Sequence, residues 1–342
     1  MHHVVDAYPI RPGEHCGSAA MRGLLEHYTG LELPEPAVFG LGAGVASVYI
    51  RADVIDPPVV LFGRTLSLEV DLGRHLGIDY RERSEEDDDE AWEIVRSEVL
   101  AGRPTMLAGD IFYLDYRDYK VHFPGHRFVL LGFDDEREQA FIADRIRDEP
   151  ETCSLGAVRK SRNPPEGSMM KNLWGRFHDT QVGNDLRTAC VDALRHNATE
   201  MLGLGEAVTA GIAASGGATT GLAGARAFAA DLPGFATRAD AGWIASFNAS
   251  CLEKFGNGGG NFRRLYAGFL EWARGIDASL APPDAPLQAR AAADAWTAAS
   301  AALFRASETP TNPAPWSEAA RCVDRAAEIE ETLFRALADR HA

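Results

Sequence analysis

Between residues 18 and 28, Met21, Leu24, Leu25 and Tyr28 recur at helical spacing, and Gly30 follows as a C-terminal cap. The pattern predicts a helix with Cys16 at its start. A second helical face, Ile94, Val95 and Val99 within Ala91–Leu100, follows the acidic run Glu85–Glu90. Those acids complement the positive end of the helix dipole, so the run reads as a solvated cap and not as a metal site. Strand patterns then appear at Pro104–Ala108, Arg127–Phe133 and Gln139–Asp144. The polar connector Asp134–Glu138 makes the last two a hairpin.

Beyond residue 178 the period becomes helical, with patterns at 183–201, 205–230, 239–254, 260–276, 286–305 and 316–340. No repeat period links them. The shift in character falls between Arg145 and Gly175, where Asn163-Pro164-Pro165-Glu166-Gly167 can continue neither a helix nor a central strand. The expectation is two domains, residues 1–155 and 170–342. The fold class expected is α+β, an N-terminal mixed domain and an all-α C-terminal one.

Composition fits a globular chain: of 342 residues, 46% are hydrophobic and 25% charged. The net charge of −16 argues against nucleic acid and anionic membrane as partners, since both need basic surface. It suits an amine-bearing ligand, although solubility alone also accounts for it. The first residues show no apolar run behind a basic segment, so the expectation is a cytoplasmic protein. The uncharged stretch Ala207–Ala225 has only Val208, Ile212 and Leu222 as large apolar residues and reads as small-residue helical packing broken near Gly216 and Gly217. Five scattered cysteines, Cys16, Cys153, Cys190, Cys251 and Cys322, form neither a disulfide framework nor a zinc pattern.

Cys16 has the setting a nucleophilic thiol needs, because a helix N-terminus favours the thiolate. Gly17 and Ser18 leave room for a carbonyl, and the Cys16 N–H can serve an oxyanion. In the hairpin, His126 opens one strand and Asp144 closes the next. Symmetric pairing about residue 135 sets the two opposite each other, which suits a carboxylate that orients an imidazole. A buried structural cysteine, a solvent-exposed histidine and a turn-forming aspartate are the bland readings of each residue alone. Their joint order is that of a papain-type Cys-His-Asp triad.

These residues also resemble the butirosin biosynthesis protein H N-terminal domain family. The likeness lies in Gly13-Glu14-His15-Cys16, the helix up to Gly30, Phe39-Gly40-Leu41-Gly42-Ala43-Gly44, and Gly125-His126 through Gly132-Phe133-Asp134, over residues 10 to 150. The resemblance implies a papain-like cysteine-peptidase fold. It also implies a reaction class: acyl transfer from a carrier-protein thioester, or a CoA-type thioester, to an amine of a small molecule in natural-product biosynthesis. Phe255 through Tyr266, with Gly256-Asn257-Gly258-Gly259-Gly260 inside it, resembles a motif of the helical domain that often follows in that family.

Asp110, on Ala108-Gly109-Asp110-Ile111-Phe112-Tyr113, is a further candidate for substrate binding, as are Gly17, Gly42 and Gly44. The Gly40–Gly44 cluster lacks the strand and lysine of a phosphate loop and reads as a tight turn near the site. His122 and His126 are four apart, but Pro124 and Gly125 between them argue against a metal pair, and no cofactor is expected. Arg159, Lys160, Arg162, Lys171 and Arg176 form a basic strip that could steer an acidic carrier protein, or belong to a solvated linker. The oligomeric state stays open, a homodimer included. A peptidase or amidase using the same three residues, and a binding protein with a silent triad, remain the competing readings.

Overall fold

The computed structural model describes residues 1–341 apart from 54, 169 and 205–216. Its described elements run β1 (His2–Val4), α1 (Cys16–Thr29), α2 (Glu35–Leu41), β2 (Val45–Arg51), β3 (Val59–Arg64), α3 (Leu68–Leu76), β4 (Tyr80–Arg83) and α4 (Asp88–Leu100). Then come β5 (Thr105–Gly109), β6 (His126–Asp134), β7 (Gln139–Ala143), β8 (Glu151–Ser154), α5 (Leu155–Arg162) and β9 (Trp174–Phe177). The rest are α6 (Leu186–Leu202), β10 (Ala218–Thr220), α7 (Gly221–Asp231), α8 (Ala241–Glu253), α9 (Arg263–Ile276), α10 (Ala285–Glu308) and α11 (Pro313–Arg340). Among the described residues no helix is long and apolar enough to cross a membrane.

The chain folds into two compact units that are each discontinuous in sequence. One comprises Met1–Val38 and Leu76–Gly183, the other Phe39–His75 and Asn184–Ala342. The linear division at 155–170 therefore does not follow the packing. Residues 39–75 belong with the C-terminal helices because β2 pairs with β10, whose residues come some 170 positions later. A short strand pairing that distant leaves no local mark in the sequence.

The first unit is an antiparallel sheet in the order β4-β9-β5-β6-β7-β8, with β1 continuing the β5 edge of β6. β6 is buried along its whole length, as its unbroken apolar run requires of a central strand. Phe128, Leu130, Phe133, Ala140 and Ile142 face Trp92, Val95 and Val99 of α4 and Val158 of α5 in one core. Val129 and Ala143 instead share a small cavity with Cys16, Ala19 and Ala20 of α1. In α1, Met21, Leu24 and Leu25 are fully buried, and Gly30 ends the helix at φ 74°, its N–H donating to Glu26 O. Gly132 lets β1 approach: a Cβ there would lie 2.4 Å from His3 O.

The β6–β7 hairpin corrects the symmetric register expected from the sequence. Near the turn Asp134 pairs with Gln139, Phe133 with Ala140 and Gly132 with Phe141; beyond it Leu130 pairs with Ile142 and Val129 with Ala143. Leu131 is thus an extra residue on β6, a β-bulge. Carried on, the last register sets Asp144 beside Phe128, two residues from His126 and on the same face. Without the bulge Asp144 would oppose Val129 and its side chain would turn to the other face. One inserted residue therefore decides whether His126 and Asp144 can meet.

The second unit is mainly helical but not all-α: a three-stranded sheet, β10-β2-β3, stands among its helices. Asn248 of α8, fully buried, accepts from Leu61 N at 2.9 Å and donates to Val59 O at 2.9 Å, closing the open edge of β3. The expected small-residue helical stretch Ala207–Ala225 lies largely outside the described residues. Its described end is β10 followed by the first turns of α7.

Candidate active site

Cys16 is the first residue of α1, and the turn ahead of it is held by one buried carboxylate. Glu35 Oε2 accepts from Glu14 N at 2.8 Å, while Oε1 accepts from His15 N at 2.9 Å and Ser18 Oγ at 2.8 Å. A side chain at Gly13 would collide with Glu35 and Ala19, at 2.8 Å each. His15 caps the helix, its Nδ1 accepting from Ser18 N at 3.1 Å. Gly13 N donates to Arg145 O at 2.6 Å, which ties this turn to the residue after Asp144.

His126 opens β6 opposite Gly109 of β5, and its Nε2 lies 3.1 Å from Asp144 Oδ1. The ring N–H is not aligned on that oxygen, so the contact is an ion pair rather than a well-formed hydrogen bond. Such contacts commonly tighten only once substrate is bound. Asp144 is fixed independently: Oδ2 accepts from Tyr116 OH at 2.7 Å and Oδ1 from Arg145 N at 2.7 Å. Cys16, His126 and Asp144 are each less than a tenth exposed. Beside them lies a cavity of about 20 Å³, room for a single water, lined by Tyr8, Ile10, Arg127 and Arg145 among others.

Burial on its own would push the Cys16 thiol up. The His15 charge, hydrogen bonds from His126 and His15, and the His126 charge outweigh it and hold the thiol well below its ordinary value. Burial likewise works against charge on His126, but Asp144 and the Cys16 sulfur raise it to about 10. Asp144 is held well below the carboxylate range: burial opposes this, and the close His126 charge, with the hydrogen bond from Tyr116, overcomes it. The opposite directions of the Cys16 and His126 shifts favour a thiolate–imidazolium pair over the neutral pair. The other cysteines go the opposite way, and burial pushes Cys153, Cys190, Cys251 and Cys322 up. All five cysteines are free.

The remaining sequence candidates divide. Gly17 is buried in the first turn of α1. Asp110 is 2% exposed and committed internally: Oδ1 accepts from Phe112 N and Phe123 N, and Oδ2 contacts His122 Nδ1 at 2.8 Å. It braces the β5–β6 connection. His122 therefore pairs with Asp110 and His126 with Asp144. Gly42 and Gly44 belong to the second unit, where a Cβ would meet Leu68 O at 2.7 Å and Phe39 O at 2.6 Å. Close packing accounts for both glycines.

The basic strip does not stand as a free positive surface. Arg159 pairs with Asp89 and Lys171 with Glu86, while Arg176 Nε lies 2.8 Å from Glu98. Arg162 is buried and donates to Ala91 O and Asn172 O, and Lys160 sits over the Tyr113 ring at 4.3 Å. The acidic run supplies Asp89 and Glu86 among these partners, besides the N-cap of α4 from Asp87. Two of the five basic residues, Arg159 and Lys171, thus pair with the acidic run.

Three contributors escape a sequence reading of this site: the His15 ring, Glu35 and Tyr116. The His15–Ser18 spacing is that of an N-cap and its third helical residue, a signal present in the sequence. Glu35 and Tyr116 reach the site only through the tertiary fold.

An antiparallel sheet flanked by helices, with a helix-start cysteine against an imidazole and a carboxylate, defines a mixed α/β protein with a candidate thiol active site. Two family models match the chain. Residues 15–145 match the family model "Butirosin biosynthesis protein H, N-terminal". Residues 154–337 match "Domain of unknown function (DUF4872)". The chain belongs to the family of proteins in which these two domains follow one another. No curated protein matches the chain.

Proposed function

We propose that this protein is a cysteine-dependent acyltransferase of a papain-like fold, which moves an acyl group from a carrier-protein or CoA-type thioester to an amine. The observation that carries the reading is the contrast among the cysteines: Cys16 alone of the five is driven toward thiolate, and it sits against an imidazole backed by a carboxylate. Membership in a family named for butirosin biosynthesis supports a biosynthetic role.

The Cys16 thiolate attacks the thioester carbonyl and forms a C–S bond. Collapse of the tetrahedral adduct breaks the donor C–S bond, and the departing thiolate takes the proton of His126. An incoming amine then attacks the acyl group, His126 accepts the amine proton, and the Cys16 thiolate leaves. Asp144 stabilises His126 in its charged stages, and Tyr116 keeps Asp144 in place. The Cys16 N–H at the helix start supports the oxyanion.

Incubation with short acyl thioesters, followed by intact-mass and peptide analysis, tests this directly. The expected result is one acyl adduct on Cys16 that discharges when an amine is added. An adduct that persists in Cys16→Ala refutes the assignment. Discharge at the same rate without amine points to the hydrolase reading instead.

A further inference from the structure

Asp144 is buried, and each of its oxygens is taken by a donor other than the imidazole it serves. Oδ2 accepts from Tyr116 OH and Oδ1 from Arg145 N, both at 2.7 Å. His126 Nε2 comes no closer to Oδ1 than 3.1 Å, and no aligned hydrogen bond forms there. Tyr116 and Arg145 therefore dictate the orientation of the carboxylate, and the imidazole meets what that orientation leaves.

Tyr116 is itself held in place. Its two chain neighbours in the β5–β6 connection are tied to β8: Asp115 accepts from Ser154 N at 3.0 Å, and Arg117 pairs with Glu151. Its ring packs against the core of the first unit. Burial and the Asp144 charge push the phenol well above its ordinary value, so the hydroxyl stays a donor through the neutral range.

That hydroxyl acts on His126 in two ways of the same sign. Its hydrogen sets partial positive charge against the carboxylate, which weakens the pull on an imidazolium. It also fixes the rotation of the carboxylate, which is otherwise free to turn and meet the ring N–H in line. We propose that Tyr116 is a positioning residue that competes with His126 for Asp144, so that the carboxylate holds the imidazolium loosely enough for its proton to be transferred. Proton transfer is most effective when the affinities of donor and acceptor are near each other. The use of that proton on a departing thiolate rests on Cys16 as the nucleophile, whereas the competition for Asp144 does not.

The test is the titration midpoint of the His126 ring by NMR in full-length protein carrying Cys16→Ala, which removes the sulfur that also acts on the ring. The signal is assigned by its absence from His126→Asn. Around the pair stand Arg117 and Tyr119 of the connection, Arg145 beside Asp144 and Cys153 of β8, all unchanged by Tyr116→Phe. Tyr116→Phe is expected to raise the midpoint by about half a unit to one unit, a three- to tenfold gain in proton affinity. Tyr116→Met, which also lacks the hydroxyl, should move it the same way. With Asp144→Asn added, the rise should vanish, because the effect passes through the carboxylate.

A tyrosine that merely supports Asp144 gives the opposite sign, since its loss would loosen the carboxylate and lower the midpoint. A fall or no change in the variants that fold overturns the proposal, as does an equal rise in the presence of Asp144→Asn. With neither sulfur nor acyl donor taking part, failure of Cys16 to form an adduct leaves this result untouched, and the two failures are told apart.

Discussion

Replacing His126 with Ala is expected to lower kcat/KM for acyl transfer about a thousandfold and to move the Cys16 thiol up toward ~8.5, the value of a free cysteine. His126 supplies both a hydrogen bond and a charge to the sulfur and is itself held protonated up to about 10 by Asp144 and Cys16. Removing it therefore takes away the stabilisation of the thiolate together with the proton carrier. The loss should fall on kcat, since the imidazole acts on the reacting atoms. The double variant with Cys16→Ala should be no worse than Cys16→Ala alone, because residues that work as a unit are not additive. Kinetics of the two single variants and the double variant, beside alkylation profiles, check both points. Parent-like alkylation in His126→Ala would mean that the ring does not sustain the thiolate.

The largest expected effect on stability lies in the second unit. Glu330 is 1% exposed and accepts from Arg263 Nε at 2.7 Å, Arg263 Nη2 at 3.0 Å and Trp296 Nε1 at 2.6 Å. Arg263 also donates to Gly63 O, Asn261 O and Ser47 Oγ, which joins α9 to β2, β3 and α11. Glu330→Ala leaves a buried guanidinium without its counter-charge and should cost about 3–5 kcal/mol by chemical denaturation. Replacing both partners with apolar residues of similar volume, Arg263→Met with Glu330→Leu, should recover much of that loss. A cost below about 1 kcal/mol for Glu330→Ala would show that the pair contributes little.

Much of the local structure is legible in the sequence because it is decided locally. The apolar face of α1, its Gly30 cap, the helical period of the C-terminal half and the hairpin of β6 and β7 follow from side-chain spacing and turn chemistry. The neighbourhood of His126 and Asp144 is legible too, though for a reason the sequence does not display. Symmetric pairing about residue 135 and the real, bulged register both leave the two side chains on one face. The bulge at Leu131 depends on how β6 fits β1, β5 and β7 at once, and no residue in it signals that outcome.

Long-range pairing escaped the sequence for a physical reason. β2 and β3 gain partners only when β10 returns from far along the chain, so a linear boundary looks natural although the packing is interleaved. The same holds for charge. Arg159 and Asp89 each read as solvated in their own windows, and their mutual neutralisation appears only when α5 is laid against α4. Asp110 read as a candidate for substrate binding for the same reason, since its three partners lie in a connection that has no regular period.

The central claim is that Cys16 exists as a thiolate in the resting protein. The rate of its alkylation against pH, resolved from the other four cysteines by peptide mass, tests this most directly. A rate at Cys16 already on its plateau well below pH ~8.5, while Cys153, Cys190, Cys251 and Cys322 react only at higher pH, is the predicted result. A Cys16 rate that rises with a midpoint near ~8.5, in step with an unperturbed thiol, would contradict it.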